Sequence, residues 1–360
     1  MHNSCAPHGS YPYRRRVSTE ETTGAATWTD PAWRAGAVGW AAEQLARRGT
    51  QIDGEPEQPH VYAWSTALRL PVDGGAVWLK SVGPGSGHEP ALAAALGEWM
   101  PSHVLVPFAV HFERRLMLLP DGGTTLRATG GAGSVEAWEA MVRDYARLQL
   151  DLVPRAEAML RLGVPDARLE VLPALVAELL SNDEWLRPGL PGGMTVDTRD
   201  RILADLDRYS EACQRLASFG VPATLQHDDL HDANVFVSDG RPRFFDWGDA
   251  VVSHPFVSLL VTLRVAQRAL DVPSGDPALL RIRDAYLDEW RDHGSESELQ
   301  EQVDLALTIG PLQRALTWRR ILRGVHPADR VEWQDAVPGW AAESLEPGTL
   351  TAPAPVQAGH

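Results

Sequence analysis

The spacing of apolar residues along the chain changes at about residue 123. Before this point the apolar residues lie in short runs, which predict strands, and one alanine- and leucine-rich segment predicts a helix. The predicted strands are 61–70, 76–82, 104–110 and 116–119, and the helix is 89–99. After this point apolar residues recur at the spacing of one helix face. The predicted helices are 135–152, 169–180, 198–219, 256–270, 278–290, 296–309 and 312–322.

These patterns predict an α+β chain with a small, sheet-rich amino-terminal lobe and a larger, mainly helical carboxy-terminal lobe. The first lobe is expected to begin with a helix that Asp30 caps and that has Pro31 at its first position. The polar and proline-rich ends of the chain are expected to be disordered tails. The expected boundaries are 1–26 for the first tail, 27–122 and 123–346 for the lobes, and 347–360 for the second tail.

One segment, residues 224–247, interrupts the helical pattern of the second lobe. It contains two short apolar strands joined by an Asp-Gly turn, which is a strong hairpin signal. The register of this hairpin places Asn234 opposite Phe245, so that Asp246 lies beside Asn234 at the open end. Asp229 comes one short loop earlier. An amide oxygen and carboxylates held close together are ligands that Mg²⁺ prefers.

This set of side chains matches the requirements of phosphoryl transfer. One carboxylate accepts the proton of the attacking hydroxyl, while a second carboxylate and an amide hold metal against the phosphates. In the kinase pattern the base aspartate precedes the metal-binding asparagine by five positions, and an Asp-x-Gly sequence follows the hairpin. Asp229, Asn234 and the sequence 246–248 have this order.

The sequence 227–234, HDDLHDAN, resembles the His-Gly-Asp-Leu-His-Pro-Gly-Asn motif of the aminoglycoside phosphotransferase and choline kinase-like family. The resemblance implies a protein-kinase-like bilobal fold and a phosphotransferase that uses ATP and Mg²⁺. It also implies that Asp229 is the catalytic base, that Asn234 and Asp246 are magnesium ligands, and that His227 is structural. Asp228 replaces the usual glycine, and Asp-Ala replaces Pro-Gly, but the three chemically essential residue types are present.

The first lobe supplies matching candidates for nucleotide binding. Lys80 lies within a predicted strand, where a kinase lysine would reach the phosphates, and Glu89 opens the next helix and could pair with it. Glu98 is a weaker partner because it lies at the far end of that helix. The other expected nucleotide contacts are Ser65 and Thr66, through hydroxyl or backbone groups, and the backbone of Leu119 at the hinge between the lobes.

The net charge of −15 argues against nucleic acid or an anionic membrane as the main partner, because phosphate groups would be repelled. It would suit a cationic substrate. The chain has two cysteines and no apolar stretch long enough to span a bilayer, so a cytoplasmic location is expected. The expected partner is a small molecule with a hydroxyl group, such as an aminoglycoside, a sugar or an amino alcohol.

Two other functions are compatible with parts of the sequence. A kinase-like module that binds nucleotide without catalysis would share the same fold. A metal-dependent phosphohydrolase would use the adjacent His227 and Asp228, with His231 as a further ligand, but such a site needs an all-helical surrounding. The sequence leaves the acceptor open.

Overall fold

The computed structural model describes residues 21–238, 240–346 and 348–350. The remaining parts of the two predicted tails, and Asp239 in the predicted hairpin turn, lie outside the described residues. Within the described ranges the chain forms an antiparallel sheet lobe followed by a mainly helical lobe. No helix in these ranges has the length and apolar character needed to cross a membrane.

The amino-terminal lobe is a five-stranded antiparallel sheet with the strand order β1-β2-β3-β5-β4. Its elements are α1 (Ala25–Thr29), α2 (Pro31–Ala46), β1 (Glu57–Val61), β2 (Ser65–Val72), β3 (Gly75–Val82), α3 (Glu89–Trp99), β4 (Ala109–His111) and β5 (Leu116–Pro120). The side chain of Asp30 accepts a hydrogen bond from the backbone N–H of Trp33 and caps α2, as predicted. Ala37, Ala41 and Leu45 of α2 pack on one face of the sheet.

The carboxy-terminal lobe contains ten helices among its described residues and two small antiparallel strand pairs. The helices are α4 (Val135–Leu152), α5 (Ala156–Arg161), α6 (Leu172–Leu180), α7 (Asp183–Leu186), α8 (Val196–Ala204), α9 (Leu206–Ala217), α10 (Leu259–Leu270), α11 (Pro277–Leu287), α12 (Glu296–Arg323) and α13 (Ala336–Ala342). The strands are β6 (Thr224–Gln226), β7 (Val235–Ser238), β8 (Arg241–Phe244) and β9 (Val251–Ser253). β6 pairs with β9, and β7 pairs with β8.

The β7–β8 hairpin has the register that the sequence predicted. Val235 pairs with Phe244, and Ser238 pairs with Arg241. The backbone N–H of Phe245 donates to the carbonyl oxygen of Asn234 over 3.2 Å, so these two residues lie opposite each other at the open end. Asp246, the residue after Phe245, therefore lies at the same end of the hairpin as Asn234.

Several predicted elements differ from the structure for local reasons. The predicted strand 61–70 is two strands, because the chain turns between Val61 and Ser65. The predicted strand 104–110 is mostly the connection from α3 to β4: Val104 bridges Phe244 of the hairpin in the other lobe, and Pro107 cannot donate to a ladder. The predicted helices 296–309 and 312–322 are one helix, α12, which continues through Pro311.

Buried residues on both sides of Pro311 explain why α12 is continuous. Leu299, Val303 and Leu307 precede the proline in the core, and Ala315 and Leu322 follow it. Proline removes one backbone hydrogen bond and crowds the preceding turn, but burial of both halves against the same lobe opposes a break. The predicted helix 198–219 shows the opposite outcome, since it is divided into α8 and α9 at residue 205.

Residues 21–26 lie within the first predicted tail but are packed in the structure. Thr23 is buried, its backbone N–H donates to the carbonyl oxygen of Gly324, and its hydroxyl donates to the carbonyl oxygen of Ala63. This segment therefore contacts both the end of α12 and the turn between β1 and β2.

The turn between β3 and α3 packs directly on α12. The guanidinium group of Arg320 donates to the carbonyl oxygen of Gly85, and a Cβ added to Gly85 would lie 2.6 Å from Ile321 Cα. Only a residue without a side chain fits this approach between the lobes.

We expect Gly85→Ala to lower the free energy of unfolding by about 1–3 kcal/mol, because the added methyl group overpacks a backbone contact. Gly39→Ala is the matched control, since Gly39 lies in α2 with open space at its Cβ position. There alanine should raise helix stability by up to about 1 kcal/mol. Thermal unfolding of both variants tests this, and equal melting temperatures would contradict the close approach.

Candidate active site

Lys80 lies in the middle of β3, between Ala67 of β2 and Met117 of β5. Its amine donates to Glu89 Oε1 over 2.6 Å and to Asp246 Oδ1 over 2.6 Å. Burial would lower the pKa of Lys80, but the charges of Asp246 and Glu89 and their hydrogen bonds outweigh it and raise the pKa. Lys80 is therefore a cation shared between the two lobes.

Glu89 is the first residue of α3, and its side chain is almost completely buried. Besides Lys80, its Oε1 atom accepts from the backbone N–H of Trp247 over 3.2 Å. Burial raises the pKa of Glu89 to about 7 against the opposing effect of Lys80. A Cβ added to Gly248 would lie 3.2 Å from Glu89 Oε2, so the glycine of the Asp-Trp-Gly sequence lets this loop approach the carboxylate. The predicted pairing of Lys80 thus occurs with Glu89 at the near end of the helix.

Asp246 follows β8 and has a left-handed backbone conformation, with φ of 67°. This conformation turns the chain away from the hairpin. Removal from water would raise the pKa of Asp246, but the charge of Lys80 and its hydrogen bond hold the pKa below its usual range. About half of the side chain remains exposed, and only its Oδ1 atom is used by Lys80.

Asp229 and Asn234 contact each other in the loop between β6 and β7. The amide nitrogen of Asn234 donates to the Asp229 carbonyl oxygen over 2.9 Å and lies 3.3 Å from Asp229 Oδ2. These bonds use the nitrogen of the Asn234 amide and leave its Oδ1 atom available. The charge of Arg314, supported by His231, lowers the pKa of Asp229 despite the opposing effect of burial.

The loop that carries Asp229 is supported from both sides. The backbone N–H of His227 donates to the Tyr145 hydroxyl oxygen over 2.9 Å, and the ring Nε2 of His227 donates to the carbonyl oxygen of Phe245 over 2.9 Å. Asp232, which replaces the usual proline, accepts two hydrogen bonds from Arg127 over 2.8 Å and 3.1 Å. His227 is therefore packed into the loop rather than presented to a ligand.

Arg314 of α12 enters the same site, and sequence reasoning did not identify it. Its guanidinium group lies 3.0 Å from Asp229 Oδ1 and 3.5 Å from Asp228 Oδ2, and it also pairs with Asp249. Arg314 is buried, with its guanidinium near the rings of Trp318 and Trp340. An arginine within a long helix carries no local signal of this role, because the contact joins residues far apart in the chain.

A cavity of about 190 Å³ lies between these groups. Its lining includes Lys80, Glu89, Asp229, Asp246, Asp249 and Arg314, together with Tyr62, Trp64, Ser65 and Trp318. The indole of Trp64, in the turn between β1 and β2, packs at 5.5 Å from the ring of Trp318. This volume is below the roughly 300–1,000 Å³ of most small-molecule pockets. A larger cavity of about 530 Å³, next to α12, is lined by none of the predicted site residues.

The structure brings some of the predicted nucleotide contacts to this cavity and leaves others away from it. Ser65 lines the cavity. The Thr66 hydroxyl is buried within the sheet, where it donates to the carbonyl oxygen of His60 over 2.7 Å and accepts from Gln58. Leu119 pairs with Trp78 at the end of β5 and is outside the cavity lining. Of the Ser65–Thr66 pair, only Ser65 is therefore placed to meet a ligand.

Residues 92–299, more than half of the chain, match the sequence model of the phosphotransferase enzyme family. The chain belongs to the phosphotransferase enzyme family. The matched segment contains Asp229, Asn234 and Asp246. Lys80 and Glu89 precede it, and Arg314 follows it, so the match says nothing about these three residues.

Several solved structures share the fold of this chain. Choline kinase from Cryptosporidium parvum is 10% identical, with 86% of this chain and 95% of that chain covered and a TM-score of 0.56. A choline/ethanolamine kinase family protein from Mesorhizobium loti is 14% identical, with 87% and 96% covered and a TM-score of 0.56. An ethanolamine kinase from Plasmodium vivax is 13% identical, with 80% and 81% covered and a TM-score of 0.52. A search of curated proteins gave no match.

The donors in the site fit a magnesium ion bound together with phosphate. No group of three or more His, Cys, Asp or Glu side chains in the described ranges is arranged to hold a metal. Mg²⁺ in phosphotransferases needs only one or two protein carboxylates, because phosphate oxygens and waters complete its octahedron. The free Oδ1 atom of Asn234 and the exposed carboxylate of Asp246 are hard oxygen donors of this kind.

The Lys80–Glu89 pair gives a test of the site that needs no substrate. Lys80→Met leaves the Glu89 carboxylate buried without its cation, so the free energy of unfolding should fall by about 3 kcal/mol. Because folding raises the pKa of Glu89 from 4.5 to about 7, the neutral acid is tolerated at low pH. The loss should therefore grow as the pH rises through 7.

Melting temperatures at pH 6 and pH 8 measure this effect. The double variant Lys80→Met/Glu89→Gln should regain most of the stability, since it has no buried charge to compensate. A Lys80→Met protein as stable as the parent at pH 8 would contradict the pairing.

Proposed function

We propose that this chain transfers the γ-phosphate of ATP to a hydroxyl group of a small molecule, with Asp229 as the base and Mg²⁺ on Asn234 and Asp246. The observation that carries the proposal is the meeting of Lys80, Asp246 and Asp229 around one cavity at the junction of the lobes, with Asn234 hydrogen-bonded to Asp229. Membership of the phosphotransferase family supports the reaction class.

In this proposal the side chain of Asp229 orients the acceptor hydroxyl and accepts its proton. The acceptor oxygen forms a bond to the γ-phosphorus as the bond from that phosphorus to the β–γ bridging oxygen breaks, and ADP leaves with the electron pair of that bond. Lys80 provides positive charge for the phosphate oxygens, and Glu89 holds the lysine in place. Asn234 and Asp246 would hold the metal, whose charge draws electron density from the phosphates when it is bound.

The remaining nucleotide contacts are proposed from where the residues lie in the fold. Ser65 is the first residue of β2 and lies at the wall of the cavity, where its hydroxyl or backbone can meet phosphate. The backbone near Leu119, at the end of β5, is the proposed contact for the base. We leave Thr66 out of the proposed set because its hydroxyl already has partners in the sheet.

The acceptor is proposed as an aminoglycoside, sugar or amino-alcohol type of molecule. The similar structures include an ethanolamine kinase and a choline kinase, which supports an alcohol as acceptor. The phosphohydrolase alternative is disfavoured, because His227 is bonded to Phe245 and Asp228 is buried beneath Arg314. Both side chains are buried, and neither lines the cavity.

The role of Asp229 is tested by Asp229→Asn. We expect turnover, measured as ADP release with a panel of amino sugars, neutral sugars and amino alcohols, to fall by roughly a hundredfold or more. Binding of a non-hydrolysable ATP analogue should stay within about threefold of the parent. The control is Asp144→Asn, which changes a carboxylate of α4 that pairs with Arg147 outside the site. Turnover of Asp229→Asn close to that of the control would remove Asp229 from the mechanism.

The role of Asp246 is tested by calorimetry with the same ATP analogue, with and without Mg²⁺. In the parent, Mg²⁺ should raise nucleotide affinity, because Asp246 and the phosphates share the ion. In Asp246→Ala this gain should be lost, whereas Lys80 keeps Glu89 as a partner and the fold is retained. The same Mg²⁺-dependent gain in the variant would count against Asp246 as a ligand.

A further inference from the structure

Arg314 is the most deeply enclosed cation of the candidate active site. Its side chain is 4% exposed, and its two terminal nitrogens contact three carboxylates that come from two different loops. Nη2 lies 3.0 Å from Asp229 Oδ1, while Nη1 lies 3.5 Å from Asp228 Oδ2 and also bonds Asp249. A planar guanidinium with partners on both nitrogens has one allowed orientation, so it fixes the carboxylates that it contacts.

Asp228 anchors the other side of this arrangement. It has a left-handed backbone, with φ of 62°, and its side chain is 2% exposed. Oδ1 of Asp228 accepts from Gln226 over 3.1 Å and from Gln313 over 3.4 Å, which leaves Oδ2 facing Arg314. Gln313 is the neighbour of Arg314 on α12, so the helix holds this aspartate through two successive side chains.

We propose that Arg314 is the positioning residue for the catalytic base: it holds the Asp229 carboxylate in the orientation needed to receive the acceptor hydroxyl. The inference rests on the proposed function of Asp229. Asp229 has few other restraints, since its side chain is 32% exposed and its remaining contacts are the Asn234 amide and His231, both near Oδ2. Arg314 therefore fixes Oδ1 and leaves Oδ2 on the side of the metal-binding asparagine.

A purely structural arginine would look different. Arg319, on the same helix, is also mostly buried and pairs with Glu178 over 3.1 Å, but it contacts no residue of the candidate active site. Arg314 instead lines the cavity together with Asp229 and Asp246. Its position is also fixed by aromatic rings, with the guanidinium carbon 5.7 Å from the ring centre of Trp318 and 6.0 Å from that of Trp340.

The test removes Arg314 without leaving an extra buried charge. Arg314→Gln alone would leave three carboxylates without their cation, so this variant is expected to fold poorly. The double variant Arg314→Gln/Asp228→Asn also neutralises the most buried of them, and it is compared with Asp228→Asn. We expect ADP release, with water or the acceptor panel, to be about 10- to 100-fold slower in the double variant, because a displaced base loses its geometry. Affinity for the ATP analogue with Mg²⁺ should stay within about twofold.

Two further measurements separate positioning from general damage. The triple variant Asp229→Asn/Asp228→Asn/Arg314→Gln is compared with Asp229→Asn/Asp228→Asn. Their residual rates should differ by less than about threefold, because the arginine acts through the Asp229 carboxylate, which both variants lack. Arg319→Gln, which removes a mostly buried arginine of α12 outside the site, should leave turnover within about twofold of the parent. If the double variant does not fold, Arg314→Lys is used instead. This variant keeps the positive charge but lacks the two terminal nitrogens of the guanidinium group, so we expect about tenfold slower turnover with normal nucleotide affinity.

Three results would overturn the proposal. The first is turnover of Arg314→Gln/Asp228→Asn within about threefold of that of Asp228→Asn, or turnover of Arg314→Lys within about threefold of that of the parent. The second is a loss of nucleotide affinity as large as the loss of rate, which would make Arg314 a phosphate ligand. The third is an undiminished effect of Arg314→Gln in the Asp229→Asn background. If Asp229→Asn itself keeps full turnover, the proposed function fails instead, so the two failures are distinguishable.

Discussion

The gathering of five carboxylates at the junction of two lobes, with Glu89 and Asp228 almost completely buried, is the constraint on which the rest of this structure depends. Glu89 and Asp246 share Lys80, and the other three, Asp228, Asp229 and Asp249, share Arg314. An ionised carboxylate that is removed from water without a partner costs several kcal/mol. The two cations therefore decide which loops can come together. Lys80 joins the sheet to the Asp-Trp-Gly loop, and Arg314 joins the loop that carries Asp229 to α12.

Helix α12 extends this constraint from the active site to the amino-terminal lobe. Six residues after Arg314, Arg320 donates to the carbonyl oxygens of Gly248 and Asp249, each over 3.1 Å, and to that of Gly85. These carbonyls belong to the loop after Asp246 and to the turn before α3. One helix thus holds the proposed base, the loop next to the proposed metal ligand and the first lobe. The continuity of α12 through Pro311, which burial on both sides of the proline favours, joins the segment that carries Arg314 and Arg320 to the first half of the helix.

The parts of the fold that sequence could predict are those set by local rules. The hairpin register follows from an Asp-Gly turn and alternating side chains, and it places Asn234 opposite Phe245. The capped start of α2 follows from Asp30 and Pro31. The turn between β1 and β2 was missed, because Tyr62 and Trp64 have the composition of a strand. Thr66 was misplaced relative to the cavity because its hydroxyl has partners in the sheet that only the tertiary structure reveals.

The pairing of Asp228 with Arg314 shows why a motif alone does not describe this site. A glycine is usual at position 228 in the motif that the sequence resembles, and the left-handed backbone there suits glycine. A residue with a side chain costs roughly 1–2 kcal/mol in that conformation, and a buried carboxylate costs more.

Both costs are offset by Gln226, Gln313 and Arg314. Because Gln313 and Arg314 lie 85 and 86 positions away from Asp228 in the chain, no local pattern connects them. The substitution at 228 and the arginine on α12 therefore have to be interpreted together. The same guanidinium that compensates Asp228 also contacts Asp229, so an apparent departure from the motif becomes part of the structure that supports the proposed base.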